Sequence, residues 1–418
     1  MKKEFLDIFK ENPTVKISFF FILMFPIILL VGSSIVNTSV ILMNIIFLIH
    51  IFNEKKFQIF NNRIFYSLCA LWAFLIINTL INDDFKENYT RAFGFVRFIL
   101  LIFLFSYFLS YKKFQFKRIV FNFWTLIFII VSLDLLFEYV FGFNTLGFKN
   151  IYDGRLSGFM GDELVIGHWY LCFSLIILSN VFNQTKIFYF LVFLSIIISF
   201  LIGERANFIR LFLAITFLLL ITRHVSLKSL IVLTFTFGVI IFFANNSEKN
   251  GKDEFKNRYY YEFKSLAKHN SIKGLNNNNS YTPMFFNAYF LFKENKMLGV
   301  GLGSYYQKSH EIFRKYKTTN EYRMIPNTHP HQYHLEILAT LGLPGYMFIF
   351  LFLLYFFYKS FVFYQTDKNI INLSSFLMIF VFCLPILPTG SFFTTYGATI
   401  FWLNFSLMNL GNFKNINY

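Results

Sequence analysis

The sequence predicts an all-α fold: a polytopic integral membrane helix bundle of about 12 transmembrane helices with one large loop on its outer face. Of the 418 residues, 56% are hydrophobic and only 14% are charged, whereas a soluble protein carries about 25% charged residues. Apolar runs close to the roughly 20 residues that cross a bilayer recur along the chain. These observations exclude a soluble protein and require that much apolar surface faces lipid.

The candidate spans are the apolar runs between polar breaks. In chain order they cover residues 17–34, 36–52, 64–81, 93–111, 119–141, 164–182, 187–202, 206–222, 227–244, 334–358, 371–388 and 396–411. No small-residue cleavage site follows the first run, so we expect an uncleaved first helix. Cys69, Cys172 and Cys383 lie inside apolar runs, which indicates core side chains rather than a disulfide framework or a zinc site.

Charge asymmetry predicts the orientation. With the N-terminus inside, the inner segments carry 17 Lys and Arg and the short outer loops carry five. Positive charge concentrates on the cytoplasmic side of membrane proteins, so both termini are expected in the cytoplasm. The net charge of +16 therefore indicates orientation rather than nucleic-acid binding.

The connection at residues 245–332 is the large outer loop. Its asparagine run, Asn276–Asn279, is typical of a linker. The aromatic positions from Pro283 to Leu298 favour a helix on the membrane surface, and a helix packed on the bundle is the equal alternative.

The first polar segment on the outer face is Arg155–Glu163, before the sixth span. An arginine near Asp162 and Glu163 can be held rigidly there; in the alternative, the two acids offset the dipole of the next helix. Arg155 is a candidate ligand contact. His168, one turn into that helix, is interpreted as structural.

A second polar segment, Gly203–Asn207, lies between the seventh and eighth spans. A guanidinium stays charged and offers a planar fork of donors, so an arginine here suits a phosphate or diphosphate group. We therefore predict a functional role for Arg205, with Arg210 nearby. The alternative is an ion pair between Glu204 and Arg205 that only fixes the turn.

Three histidines, His329, His331 and His334, lie where the large loop returns to the membrane. Their spacing suits neither a helix-face metal pair nor a known zinc framework, so no metal is expected. A histidine at the mouth of a membrane cavity can accept the proton of an attacking hydroxyl, because its pKa lies near working pH. Only one of the three is needed for that role.

Asp134 and Glu138 share one face of the fifth span. Intramembrane acids usually point inward, and a proton path is one interpretation. The favoured interpretation is that they pair with Arg97 or lie near the outer interface.

The C-terminal half resembles the bacterial O-antigen ligase and O-antigen polymerase superfamily of integral-membrane glycosyltransferases. The ligase signature is His, then Asn, Ser or Gln, nine residues, and Gly-x-x-Gly; here His331 and Gln332 are followed by nine residues and Gly342–Gly345. Gly299–Gly303 is similar to the glycine-rich segment that precedes the histidine, and Gly203–Ala206 to the short arginine motif.

The resemblance implies a GT-C-like, metal-independent glycosyltransferase that needs no cofactor and uses an undecaprenyl-diphosphate-linked glycan. Arg205 is expected to meet the diphosphate, and His331 to orient or deprotonate the acceptor hydroxyl, with inversion at the anomeric carbon. The further candidate contacts to diphosphate or glycan are basic, amide or glycine residues on the outer face: Arg155, Arg210, Arg258, Arg323, Gly301, Gly303 and Gln332.

The chain departs from the ligases in its outer loop. They have another arginine ahead of an aromatic helix, but Ser280–Pro283 contains none. Arg258 and Arg323 are the candidates to replace it.

The acceptor decides the activity. Lipid A-core as acceptor defines a ligase, a second lipid-linked repeat a polymerase, and a protein side chain an O-oligosaccharyltransferase; the signature favours the ligase. A transporter or flippase would share the composition, but the long connection is off-centre and outside. The expected partners are the lipid-linked donor, the lipid A-core or glycan acceptor and membrane lipids, with no nucleic acid.

The predicted organisation has three regions. Residues 1–244 contain nine spans, residues 245–332 form a periplasmic loop with short amphipathic helices, and residues 333–418 contain three spans. The ligase-related region is roughly 190–350, and the expected location is the bacterial inner membrane.

Overall fold

The structure is a computed structural model that describes most of the chain. The described residues are 8, 10–82, 87–111, 116–149, 154–161, 163, 165–224, 229, 231, 234–236, 238, 259, 276, 279, 281–317, 322–385 and 387–413. Within these residues the regular elements are helices, and the pairing of Phe143 with Lys149 is an isolated bridge. The predicted all-α class is confirmed.

Fourteen helices are described here. They are α1 (Pro13–Val31), α2 (Ser33–Glu54), α3 (Arg63–Ile81), α4 (Glu87–Gly94), α5 (Val96–Leu109), α6 (Phe116–Phe141), α7 (Ile166–Asn180), α8 (Thr185–Leu201), α9 (Arg205–Ile221), α10 (Thr282–Glu294), α11 (Tyr305–Tyr316), α12 (Tyr333–Asp367), α13 (Ile370–Phe382) and α14 (Thr395–Met408).

In the described part of the chain, six helical segments are long and apolar enough to cross a membrane: α1, α2, α3, Tyr89–Leu109, α6 and α12. Helices α7, α8 and α13 are apolar but shorter. Helices occupy eleven of the predicted runs, and most of 227–244 lies outside the described residues. A multi-pass helical membrane protein is therefore supported, while the count of about 12 spans and the periplasmic side of the loop stay predictions.

Indole groups repair the interruption that Pro26 makes in α1. Because proline has no N–H, the carbonyl of Ile22 loses its helical partner. The Nε1–H of Trp124 on α6 donates to that carbonyl at 3.1 Å, and Trp169 on α7 donates to the Pro26 carbonyl at 2.9 Å. Backbone groups inside a membrane need such partners, so these bonds fix α6 and α7 against α1.

Helix α12 is sharply kinked at Gly342, which has φ 68°, with Pro344 two residues later. The kink and the missing Pro344 N–H free the carbonyls of Ala339 and Thr340. The N–H groups of Val300 and Gly301 donate to these two carbonyls, each at 2.9 Å. The glycine-rich segment of the outer loop is thereby fixed to α12 just after the histidine motif.

Helix α10 packs on α12, and α11 packs on α10, through a small second core that includes Ala288, Leu291 and Ile312. The Asn287 amide of α10 donates to the carbonyl of Ser309 in α11 at 3.2 Å. This supports the bundle-packed alternative for the aromatic helix, which ends at Glu294 rather than Leu298. The sequence analysis gave no bounds for α11.

Candidate active site

Polar residues gather at one end of the bundle, where the 154–165, 202–204, 322–332 and 383–394 connections meet. We call Arg155, His168, Glu204, Asn207 and Arg210 the polar cluster. The Arg155 guanidinium Nη2 lies 3.1 Å from Glu204 Oε1. The charges of both arginines are close enough to act on His168.

Glu204 is the central acceptor of the cluster. Its carboxylate accepts hydrogen bonds from the Gly167 N–H at 3.2 Å and from the Asn207 amide, besides the pair with Arg155. Burial raises the pKa of Glu204, and the Arg155 charge and these hydrogen bonds act in the opposite direction. The ion pair of Glu204 with Arg155 thus joins two loops.

Asp134 and Glu138 hold the loop that carries Arg155. Glu138 accepts from the Ser157 and Gly158 N–H groups, the latter at 2.7 Å, and Asp134 accepts from the Thr145 N–H at 2.9 Å. The expected pairing of these acids with Arg97 is wrong.

Arg97 has other partners near its own helix and on α14. Its guanidinium donates to the Gly94 carbonyl at 3.0 Å and to the Thr395 hydroxyl at 3.3 Å. The ring of Phe98 lies under it at 4.6 Å. These contacts join α5 to α14.

Arg210 is buried, and its guanidinium is bound to backbone carbonyls. Its side chain is fully buried, at 0% exposure. It donates to the carbonyls of Val381 at 3.3 Å, Leu387 at 3.1 Å and Pro388 at 2.6 Å. Because carbonyls at a helix C-terminus carry partial negative charge, Arg210 caps α13 and fixes the following loop. The predicted ligand contact by Arg210 is replaced by this positioning role.

The loop between α13 and α14 also fixes His331. The Thr389 N–H donates to the His331 carbonyl at 2.7 Å, directly after the Pro388 carbonyl that Arg210 holds. His331 has φ 54°, a conformation that non-glycine residues rarely adopt. Such backbone strain is typical of functional positions.

The rings of His329 and His331 lie together, with centroids 4.1 Å apart, and Tyr281 lies 5.5 Å from His331. Burial lowers the pKa of His331. Burial, and then the charge of His331, lowers the pKa of His329 to about 3. Both rings are therefore neutral at neutral pH and can accept a proton.

His334 and Gln332 are engaged in structural hydrogen bonds. The two His334 ring nitrogens lie 3.0 Å from the Tyr346 hydroxyl and 2.7 Å from the Cys383 carbonyl. The Gln332 oxygen caps α12 by accepting from the Leu335 N–H at 2.7 Å, and its amide nitrogen donates to the Pro385 carbonyl at 3.2 Å. Gln332 thus orients the start of α12 beside His331.

The predicted glycine contacts serve close packing. Gly301 has φ 83°, and a Cβ there would lie 2.9 Å from Asn82 Cβ at the end of α3. Gly303 has φ 102°. Since both conformations favour glycine, the motif lets the loop approach α3 and α12.

Two of the remaining predicted arginines lie within the described residues and one does not. Arg205 is the half-buried first residue of α9. Arg323 is exposed, and its backbone exchanges two hydrogen bonds with the Asn276 side chain, at 2.7 and 2.9 Å. Arg258 and Asp162 lie outside the described residues.

The contribution of the 383–394 loop was missed by the sequence reasoning, which continued the eleventh span to residue 388. Helix α13 ends at Phe382. Pro385 and Pro388, followed by Gly390, were the available signals, because prolines interrupt helices.

Residues 190–351 match the sequence model of a family described as O-antigen ligase. No curated protein matches the chain. The matched residues include the 202–204 turn, the described part of the outer loop, His331 and the kink in α12. This match supports the predicted resemblance to the O-antigen ligase and O-antigen polymerase superfamily.

Proposed function

We propose that this chain is an O-antigen ligase that transfers a glycan from undecaprenyl diphosphate to a hydroxyl of lipid A-core on the periplasmic face of the inner membrane. The family gives ligase-type or polymerase-type activity on lipid-linked glycans. The observation that carries the proposal is that one loop joins His331 to the polar cluster: the Thr389 N–H donates to the His331 carbonyl, and Gly390 lies next to the His168 ring. That ring lies 3.9 Å from Glu204, the partner of Arg155.

The proposed reaction is a single inverting displacement. The acceptor hydroxyl oxygen attacks the anomeric carbon, the bond from that carbon to the diphosphate oxygen breaks, and the hydroxyl proton passes to His331. Diphosphate leaves as an anion, so fixed positive charge lowers the barrier. One base and this charge supply what the displacement requires.

Arg155 and Arg205 are the proposed diphosphate contacts. The Arg155 side chain is 23% exposed and its position is fixed by Glu204, so little side-chain entropy is lost when it meets a ligand. Arg205 begins α9, where the helix N-terminus also favours an anion.

The test is a purified-protein assay with an undecaprenyl-diphosphate-linked glycan, with and without lipid A-core, in which gel mobility and mass locate the glycan. Wild type is expected to label lipid A-core, and His331→Ala to lose at least about 100-fold in rate. His310→Ala, on α11, is the matched control. Longer lipid-linked chains without lipid A-core would assign a polymerase instead, and full activity of His331→Ala would remove the assigned base.

A further inference from the structure

His168 has a tautomer that its neighbours determine. Arg210 Nη1 donates to Asn207 Oδ1 at 3.1 Å, which fixes the orientation of that amide. The Asn207 nitrogen lies 3.1 Å from His168 Nδ1. Since an amide nitrogen only donates, Nδ1 accepts and the hydrogen of the neutral ring sits on Nε2.

That Nε2–H is buried and has no hydrogen-bond partner among the described residues. Among the described atoms, a Cβ placed on Gly390 would lie 3.4 Å from Nε2, and its one other neighbour within 4 Å belongs to the same ring. A gap of about one atom therefore separates the ring from the 383–394 loop. A buried unpaired donor costs free energy, so its retention needs a reason.

Two of the described histidines, His50 and His334, have both ring nitrogens engaged. In His50 the nitrogens lie 3.1 Å from the Thr14 hydroxyl and 3.0 Å from the Tyr107 hydroxyl, and His334 has two partners as described above. His168 differs from both, which argues against the structural interpretation of its sequence position.

The surroundings of His168 favour a negatively charged oxygen. Arg155 and Arg210 both act on the ring, and Glu204 balances only one of these two charges. Glu204 itself is occupied by Arg155, Gly167 and Asn207. An acceptor that enters the gap beside Gly390 thus meets net positive charge and one oriented N–H.

We propose that His168 Nε2–H donates a hydrogen bond to an oxygen of the ligand's diphosphate, an assignment that rests on the proposed function. His168 is then a binding and orienting residue beside the base, and Arg210 and Asn207 act by fixing its tautomer. Hydrogen bonds to charged groups contribute more than neutral ones, so one donor has a measurable effect on affinity.

The test is titration of the full chain in nanodiscs with undecaprenyl diphosphate, with undecaprenol as the uncharged control, by native mass spectrometry. His168→Phe keeps an aromatic ring against Phe382, whose centroid lies 5.3 Å from that of His168, and removes the donor. We expect its Kd to rise about tenfold or more. His168→Gln, which keeps an N–H near the position of Nε2, is expected within about threefold of wild type.

Imidazole ¹⁵N spectra, assigned with His168→Phe, distinguish a binding role from a packing role, because a ring that only packs would keep its nitrogen chemical shifts when the ligand binds. They are expected to show protonated Nε2 and a shift of that signal with undecaprenyl diphosphate but not with undecaprenol. The inference is overturned, and the proposed function is not, if His168→Phe has the Kd and the thermal midpoint of wild type. The same conclusion follows if the Nε2 signal does not shift with undecaprenyl diphosphate, as expected for a ring that is bonded only to water. Wild type that does not prefer undecaprenyl diphosphate to undecaprenol overturns the inference and the proposed function together.

Discussion

The Arg155 guanidinium and the Glu204 carboxylate form an ion pair of 3.1 Å across 49 residues of chain, with side-chain exposures of 23% and 8%. The pair ties the loop before α7 to the turn before α9. Leu156 N–H adds a bond of 3.2 Å to the Ile202 carbonyl beside it. Both predicted arginine segments are therefore fixed relative to each other before any ligand binds.

Glu204→Gln is expected to lower the free energy of unfolding by about 1–3 kcal/mol, because a partly buried guanidinium loses its counter-charge. Thermal unfolding in detergent measures this. Glu294→Gln is the control, since Glu294 pairs with Lys315, which is 59% exposed, and surface pairs contribute little. Equal shifts of the thermal midpoint in the two variants would contradict the larger stabilisation that we attribute to the Arg155–Glu204 pair.

Gly203→Ala is expected to cost more stability than Gly147→Ala, although both glycines have positive φ, 77° and 87°. A Cβ on Gly203 would lie 2.0 Å from the Gly154 carbonyl oxygen, whereas one on Gly147 meets no atom within 4 Å. Positive φ alone costs an alanine about 1 kcal/mol, so Gly147→Ala measures that part. The midpoint difference between the variants reports the clash, and no difference would mean that the two loops are not in contact.

Arg210→Lys is expected to free the 383–394 loop and to reduce transfer more than tenfold, because one ammonium group cannot replace a planar fork that reaches three carbonyls. Limited proteolysis should detect faster cleavage near residues 385–390, and the transfer assay should show lower kcat. Lys359→Arg on α12 provides a conservative control. Wild-type protease resistance together with wild-type kcat would contradict the positioning role.

Stability is expected to fall as the pH drops below about 6.5. His329 has a folded-state pKa of about 3 against 6.5 for the free side chain, so between these values the unfolded state binds a proton that the folded state does not. At pH 5 the loss from this residue is about 2 kcal/mol. Thermal midpoints at pH 7.5 and 5.0 test it, and His329→Gln should show a smaller decrease between the two; an equal decrease would contradict the buried neutral ring.

The predicted orientation can be tested by cysteine labelling. In a chain whose Cys69, Cys172 and Cys383 are changed to Ala, Leu146→Cys reports the loop next to Arg155, and Lys368→Cys reports the opposite end. An impermeant maleimide is expected to label Leu146→Cys in spheroplasts and Lys368→Cys only after permeabilisation. The reverse pattern would invert the topology and remove the periplasmic site.

The helical membrane class and the positions of most helices follow from local sequence, because enough consecutive apolar residues cross a bilayer regardless of their neighbours. Local sequence also indicated the segments that matter, since Arg155, Glu204 and His331 stand out as polar groups beside long apolar runs. These features are readable within a window of about one helix.

The tertiary structure alone decided what each polar group does. Arg210 reaches a carbonyl 178 residues away, and Ser391 and the Phe392 N–H bind Glu336 across more than 50 residues; no periodicity encodes such partners. Asp134 and Glu138 were matched to the wrong group for the same reason. Inside a membrane, each polar group takes the partner that packing brings within hydrogen-bond distance, so roles follow from helix arrangement rather than from local pattern.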